Sequence, residues 1–529
     1  MKSSTATDGS TNSDDINIVT DQQFILLGSS IFIIAACSLI YELLISSLST
    51  YLLGSSVIHY SLTIGLFLFF MGVGAWFAQS IIRDLVAAFV AIEIAIGAVG
   101  GVSAMLLYGI YAWSNLYYPV MLLTIAAIGI LVGMELPLLT RILESRSGLR
   151  RGISQVMTFD YLGALIASLL FPFILLPYLG HLLTASAIGG INLLIAFIVA
   201  WTFRHRLGQW TWPIAMACVV AAILIITSAV WSNPAAEIFE NALYEDPVIH
   251  SEQSRYQKLV LSKQGDDLRL YLDGNLQFSS LDDFRYHEVL VHLPAAFSVR
   301  LDRVLVIGGG DGLAVRELLN YPEVTEIVVI DLDPAVTKLA RSHAMIKNLN
   351  KQSLDHAKVT VVNQDAWQWL SEQGDLFNLA IIDLPDPESE DVAKLYSVAF
   401  YERLARRLSA DGVMITQATS PWFARRAFWS IGATMEVVFE DVRPAAAYIP
   451  SFGLWGFFIA AQHSLENTVR TPFSGRYVNQ TSLSGLLKLP PDLPRLSVEV
   501  NRSQSLPVIN YYRKGWETLN QTLPTVVEQ

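Results

Sequence analysis

VLVIGGGDGL, Val304–Leu313, decides the fold of the second half of this chain. Val304–Ile307 is a short apolar run with β-branched residues, the composition of a strand buried on both faces. Gly308, Gly309 and Gly310 follow, then Asp311 and Gly312, and a helical pattern begins at Leu313. Strand, glycine turn and helix open a nucleotide-binding βαβ unit, in which glycine lets the backbone approach a ligand closely. The spacing departs from the dinucleotide fingerprint, because Leu313 stands where the third glycine of G-x-G-x-x-G would fall. Taken alone, the stretch reads equally well as a tight turn.

Downstream, EIVVI (Glu326–Ile330) ends at Asp331, about 20 positions beyond the turn, where an acidic residue can bind ribose hydroxyls. VTVVN leads to Asp365, and LAIID ends on Asp383, followed by Leu384, Pro385, Asp386 and Pro387. Asp311, Asp331, Asp365 and Asp383 each follow an apolar strand, and in an open parallel sheet such ends converge on one crevice. Carboxylates gathered there repel one another unless a cation sits among them, although Asp also serves as a helix N-cap. A sulfonium nucleoside and an alkylamine both fit an acidic crevice. A protonated amine becomes a nucleophile only after losing a proton, and Asp383 is the candidate acceptor.

Upstream, Ser254–Ser280 alternates apolar and polar residues between turns at Gly265-Asp266-Asp267 and Asp273-Gly274-Asn275, which predicts antiparallel hairpins. DDFRYHEVLVHLPAAF then has helical spacing.

The chain has 529 residues, 53% hydrophobic and only 16% charged, against roughly 25% charged in ordinary soluble domains. A net charge of -12 argues against nucleic acid as a partner. Cys37 and Cys218 both lie in apolar runs, so no disulfide framework is expected. Residues 1–22 are polar and read as a disordered tail without the pattern of a signal peptide. Apolar runs follow at about 24–48, 57–82, 85–111, 117–139, 161–180, 184–203 and 213–231, each near the roughly 20 residues that span a bilayer. The lipid bilayer is therefore an expected partner, with about seven spans divided at Leu179–Thr184. Trp113, Tyr117, Tyr118, Trp201, Trp210 and Trp212 lie at span ends, as in an aromatic belt. Glu42, Glu93, Glu135 and Asp160 lie within or at the edges of spans, where ionisable groups are costly; Glu135 and Asp160 flank the arginine-rich loop and read as interfacial, whereas Glu42 and Glu93 lie deeper and are candidates for polar packing or cation binding.

Arg83, then Arg141, Arg146, Arg150 and Arg151, then Arg204 and Arg206 occupy alternate loops, which the positive-inside rule sets in the cytoplasm. Seven spans would then carry the second half outside.

The ordered set SRYQ (254–257), LDGNLQF (272–278), DDFRYHE (282–288), VIGGGDG (306–312) and IIDLPDP (381–387) resembles the polyamine aminopropyltransferases, or spermidine synthases. With LYSVAFY (395–401), IPSFGLWGF (449–457) and the apolar half, the chain resembles the subgroup with a multi-span membrane domain. The resemblance implies transfer of the aminopropyl group of decarboxylated S-adenosylmethionine to a diamine such as putrescine. Products would be spermidine and methylthioadenosine, with no metal or separate cofactor. It assigns Gln257, Asp331, Asp365 and Ala366 to the nucleoside. His287 and Asp311 would bind the polyamine or the aminopropyl end, and Tyr286 the diamine. Asp383 would be the proton acceptor, with Asp386 holding the amine. Gly308, Gly309, Gly310 and Gly312 form the turn. A donor made in the cytoplasm implies a cytoplasmic catalytic half, against the arginine pattern. Homo-oligomerisation is compatible with the sequence.

Four departures bear on the acceptor side in particular. Asp331 replaces the family's usual Glu, Leu384 and Pro385 replace hydroxyl residues beside the active Asp, Ala366 replaces Gly, and Phe452 replaces a channel Tyr. Two alternatives follow: a methyltransferase using S-adenosylmethionine, and a polyamine transporter or sensor motivated by Glu42 and Glu93.

The expected architecture is therefore a tail (1–22), a helical membrane domain (23–232), a linker with a small β-strand subdomain (233–290), a Rossmann-like α/β domain of methyltransferase type (291–463) and a C-terminal extension (464–529).

Overall fold

The computed structural model describes residues 21–53, 56–147, 149–244, 246–465 and 473–522. The expected tail over residues 1–20 and the side chains of Arg146, Arg150 and Arg151 lie outside the described residues. Two units divide the chain, Met1–Glu245 and Asp246–Gln529.

The first unit is helical: α1 (Asp21–Leu53), α2 (Ser56–Ala78), α3 (Leu85–Trp113), α4 (Tyr117–Ser147), α5 (Leu149–Leu170), α6 (Leu176–Thr202) and α7 (Thr211–Leu243). Among the described residues, six continuous helical runs are long and apolar enough to cross a membrane. One of them, Val156–Thr202, is 47 residues long and contains most of α5 with α6. It doubles back at Gly180, whose backbone leaves the helix at φ 65 and ψ -174. Gly163 of α5 lies against Phe32 and Ala35 of α1, and His181, just past the break, meets Ser47 at 3.0 Å. The chain then returns, so that Val199 and Phe203 share an apolar cluster with Val156, Leu27 and Ile31.

Small residues allow these helices to approach closely. Gly189 of α6 packs on Gly97 and Gly101 of α3, and a Cβ on Gly133 of α4 would overlap the Met71 carbonyl of α2. One end of the bundle carries Arg141, which donates to the Ile81 carbonyl at 2.6 Å, and Trp210, which donates to Asp84 at 3.1 Å. The opposite end carries the Ser49–Tyr117 hydrogen bond of 2.9 Å and the stacked rings of Tyr108 and Phe239. α7 passes through Pro234 and continues to Leu243, so residues 233–243 are helix where the sequence suggested a linker. The helix persists because Ala235 and Phe239 still pack into the bundle core.

The second unit begins with an antiparallel sheet in the order β1 (Val248–Gln253), β2 (Lys258–Gln264), β3 (Asp267–Leu272), β4 (Asn275–Ser279). Helix α8 (Asp283–Ala295) follows and is buried along most of its length. It runs through position 290, where the sequence reading divided the strand subdomain from the α/β domain. Its residues Val289, Leu290 and Val291 pack with strands of both sheets, which makes one core of the two.

The larger sheet holds β5 (Arg303–Gly308), β6 (Glu326–Asp331), β7 (Val359–Asn363), β8 (Phe377–Asp383), β9 (Leu408–Gln417), β10 (Asp441–Ile449) and β11 (Gly453–Ala461). Their order is β10-β11-β9-β8-β5-β6-β7, with β5 to β9 parallel and the β9–β11–β10 pairs antiparallel. The strand order reverses at β5, flanked by β6 and β8, and ligands of open α/β sheets bind at such a switch point. Around it lie helices α9 (Leu313–Leu318), α10 (Pro334–Ser342), α11 (Ala366–Trp369), α12 (Arg425–Met435) and α13 (Pro507–Thr522).

The C-terminal segment is fastened to this core. The buried Glu288 carboxylate accepts the backbone N–H groups of Arg476, Tyr477 and Val478 at 2.8, 2.7 and 2.8 Å. On α13, Trp516 packs its ring 5.1 Å from that of Phe423.

Candidate active site

Gly308 and Asp383 are register partners at the ends of β5 and β8. Gly308 has φ 80, and a Cβ there would strike the Asp383 carbonyl oxygen. A Cβ on Gly310 would strike the Asp331 carboxylate. Asp331 closes the turn: its Oδ2 accepts the Gly310 N–H at 3.0 Å and its Oδ1 accepts the Asp333 N–H at 2.9 Å. The glycines are thus required by close approach, and the turn is built around the acidic strand ends.

Three of the four sequence-predicted strand-end carboxylates gather here. Asp383 Oδ1 accepts the Tyr286 hydroxyl at 2.6 Å, and Asp311 Oδ1 accepts the Leu313 N–H at 2.8 Å. Burial, with the Asp383 charge adding to it, pushes the Asp311 pKa up to about 7. Burial pushes Asp331 and Asp383 each up to about 6, the Tyr286 hydrogen bond opposing the rise at Asp383. A bound cation would reverse these shifts, because it stabilises the ionised carboxylates.

Asp365 follows β7, whose Asn363 is the register partner of Asp331, and the Gln364 N–H beside it donates to the Asp331 carbonyl at 3.1 Å. Asp365 Oδ1 caps α11 by accepting the Trp367 N–H at 2.8 Å, and its Oδ2 lies 4.0 Å from Lys394 Nζ. Ala366 is buried behind it in the first turn of α11. The N-cap and the charge-bearing readings of Asp365 therefore hold together. Gln257 reaches the end of β6 through a different residue from Asp331: its Nε2 donates to Asp333 Oδ2 at 3.1 Å, beside Ser254 at 2.6 Å.

Helix α8 delivers Tyr286 and His287 side by side, with ring centroids 5.0 Å apart. His287 Nδ1 lies 2.8 Å from the Asp283 carbonyl oxygen, which can only accept, so Nδ1 carries the proton and Nε2 is an acceptor. Burial and the nearby Arg316 guanidinium lower the His287 pKa to about 3, keeping the ring neutral. Arg316 is held by Asp283 at 2.8 Å. Tyr286, Phe457, Phe452 and Trp455 form an aromatic wall, with centroid separations of 5.5 Å for Tyr286–Phe457, 6.2 Å for Tyr286–Phe452 and 5.1 Å for Phe452–Trp455.

Asp386 has its own cradle. Gln417 Nε2 donates to its Oδ1 at 3.2 Å, Thr419 Oγ1 to its Oδ2 at 3.1 Å, and the Tyr512 hydroxyl of α13 completes the set. Burial pushes Asp386 up to about 7 against these three donors. Gln417 also donates to the Leu384 carbonyl at 2.7 Å, and Tyr396 to the Pro385 carbonyl at 2.9 Å, so the loop after Asp383 is pinned by its backbone. Thr419 does this from φ 58, a strained position for a β-branched residue and one that marks functional sites. The sequence reading missed Asp333, Tyr396, Gln417, Thr419 and Tyr512. Gln417 left one signal, a polar residue closing the apolar run Val413–Thr416. Tyr512 lies in the aromatic segment YYRKGWETL (511–519), whose composition suits packing on the catalytic domain but does not point to Asp386.

Residues 283–471 match the family described as "Spermine/spermidine synthase domain". Polyamine aminopropyltransferase 2 of Ralstonia nicotianae is 42% identical over 506 residues, covering 93% of this chain and 98% of that protein. The polyamine aminopropyltransferase of Leptospira interrogans is 39% identical over 490 residues, covering 93% and 98%. Among solved structures, a spermidine synthase in complex with the transition-state analogue AdoDATO is similar at 24% identity with a TM-score of 0.44, covering 46% of this chain and 85% of that one. Spermidine synthase from Thermotoga maritima is similar at 25% identity with a TM-score of 0.43, covering 46% and 84%.

Proposed function

The chain belongs to the polyamine aminopropyltransferase family, and from that premise we propose that it moves the aminopropyl group of decarboxylated S-adenosylmethionine to putrescine, giving spermidine and methylthioadenosine, while anchored in a membrane. The observation that carries the reading is the buried acidic crevice at the β5/β8 switch point, with its three carboxylates raised toward neutrality.

The nucleoside lies along the glycine turn and the end of β6, with Asp331, Gln257, Asp365 and Ala366 around it. The aminopropyl ammonium lies by Asp311 and the acceptor nitrogen His287 Nε2. The diamine enters along Tyr286 and the aromatic wall, its far ammonium held by Asp386. The attacking ammonium first gives one proton to Asp383, and its nitrogen then gives the freed lone pair to the carbon bonded to sulfur. The C–S bond breaks, its electrons neutralise the sulfonium, and the nitrogen keeps its two remaining protons as a secondary ammonium. A carboxylate with a pKa near 6 is mostly ionised at neutral pH and still basic enough to take that proton. The transfer uses the sulfonium as its own activated leaving group and calls for no metal or further cofactor.

Membrane anchoring rests on the apolar helices, and the reversal at Gly180 supports seven crossings. The arginine end of the bundle and Leu243 then face opposite sides. A catalytic unit supplied with its donor in the cytoplasm sets Arg83, Arg141, Arg204 and Arg206 outside, against the charge bias. The supply of donor decides for the cytoplasm, since no turnover occurs without it.

Incubation of the purified full-length protein with putrescine and decarboxylated donor tests the activity. Spermidine and methylthioadenosine should accumulate in equal amounts; methyl transfer from S-adenosylmethionine in place of spermidine would overturn the reading.

A further inference from the structure

We infer that Asp333 is a positioning residue of the nucleoside site: it fixes the amide of Gln257 so that Oε1, an acceptor, faces a hydroxyl of the nucleoside. The inference rests on the nucleoside lying at the end of β6, as proposed above.

Asp333 is 1% exposed, and both of its carboxylate oxygens accept hydrogen bonds. Oδ1 takes the Ala335 N–H at 2.9 Å as the N-cap of α10. Oδ2 takes the Ser254 hydroxyl at 2.6 Å and Gln257 Nε2 at 3.1 Å. The Asp333 N–H donates in turn to Asp331 Oδ1 at 2.9 Å. Asp331 and Gln257, both assigned to the nucleoside, are thus held by one residue between them. The segment carrying Gln257 is a closed turn ahead of β2. Ser254 Oγ accepts the Tyr256 and Gln257 N–H groups at 3.0 Å each, and the Ser254 N–H donates to the Gln257 carbonyl at 2.9 Å. The single hydroxyl proton of Ser254 is spent on Asp333, so this turn is tied to the end of β6 by that carboxylate.

The inventory of donors and acceptors sets the direction of the amide. Asp333 Oδ2 accepts, so Gln257 presents Nε2 to it. The Gln257 side chain is half-buried, and among the described residues nothing donates to its Oε1. What Gln257 offers a ligand is therefore an acceptor. Asp331 likewise offers acceptors, since its two oxygens take the Gly310 and Asp333 N–H groups and keep further lone pairs. Two acceptors side by side suit the two hydroxyl donors of a ribose. An amide free to turn over would set a donor against the ligand half of the time, and Asp333 removes that freedom.

The test is isothermal titration of the full-length protein with methylthioadenosine. In D333N the Ala335 N–H still needs an acceptor, so the new amide nitrogen falls at the Oδ2 position and turns the Gln257 amide over. Kd should rise about tenfold, the cost of one mismatched hydrogen bond. Q257E should also bind about tenfold more weakly, because its carboxylate meets that of Asp333. D333N/Q257E again sets a donor against an acceptor and leaves an acceptor toward the ligand, so its Kd should return to within about threefold of the wild type. A merely structural Asp333 gives no such rescue: a double variant as weak as the weaker single variant overturns the inference. Q257E changes only a half-buried loop side chain and carries the test by itself where D333N does not fold; wild-type affinity in Q257E overturns the inference as well. Rescue of methylthioadenosine binding in a protein that forms no spermidine would sustain this role of Asp333 while defeating the proposed reaction.

Discussion

The Tyr286 hydroxyl donates to Asp383 Oδ1 at 2.6 Å, linking helix α8 to the end of β8. The bond stabilises the ionised carboxylate and holds the Asp383 pKa below the value burial alone would give. Tyr286→Phe should therefore raise that pKa and move the acid limb of the kcat profile to higher pH. In the wild type, activity should rise with pH through about 6 as Asp383 ionises. An acid limb that stays in place in the variant would separate Tyr286 from the proton acceptor.

Asp383→Asn removes the proposed proton acceptor while preserving shape. Turnover should fall by about 10²- to 10⁴-fold, the usual contribution of a positioned general base. Isothermal titration with methylthioadenosine should show nucleoside binding largely retained, since the glycine turn and Asp331 are untouched.

Tyr512 and Asp386 meet between α13 and the loop after β8. Tyr512→Phe removes a donor to the carboxylate that would hold the far ammonium of the diamine. KM for putrescine should rise about tenfold, a loss of roughly 1.4 kcal/mol, with kcat little changed. A fall in kcat at constant KM would move Tyr512 to another role.

The acidic crevice also predicts how stability depends on pH. Asp311, Asp331, Asp383 and Asp386 have folded pKa values near 6 to 7, above their ordinary value of 3.8. Raised folded values mean that stability is fully present below about pH 4 and is lost as pH rises through 6 to 7. The ligand-free protein should lose stability on the order of a few kcal/mol across that window from these groups. Putrescine with methylthioadenosine should raise the melting temperature more at pH 8 than at pH 5; an equal rise at both would remove the electrostatic account.

Reporter fusions after residue 522 test the orientation of the membrane unit. A cytoplasmic catalytic unit predicts fluorescent green fluorescent protein and inactive alkaline phosphatase at that position. The opposite pair would give the positive-inside rule priority over the substrate argument.

Much of this was legible from residue order. The glycine turn, the strands ending at Asp331 and Asp383, and the hairpins after Ser254 carry local signals, because buried parallel strands are apolar runs and turns need Gly or Asp. Their convergence followed from parallel-sheet topology. The place of β7 at the sheet edge did not, because no local pattern states strand order. Pro234 misled for a related reason: packing of Phe239 overrides the helix-ending tendency of a proline. The contacts of Glu288 with residues 476–478 and of Tyr512 with Asp386 are long-range and left no local trace.

Those last contacts also set an order of assembly during synthesis. The apolar helices emerge first, and the stretch from the glycine turn to Asp383 is translated well before Tyr512. The cradle of Asp386 is finished only when α13 docks and brings Tyr512 to it. Contacts this distant in sequence form late in folding.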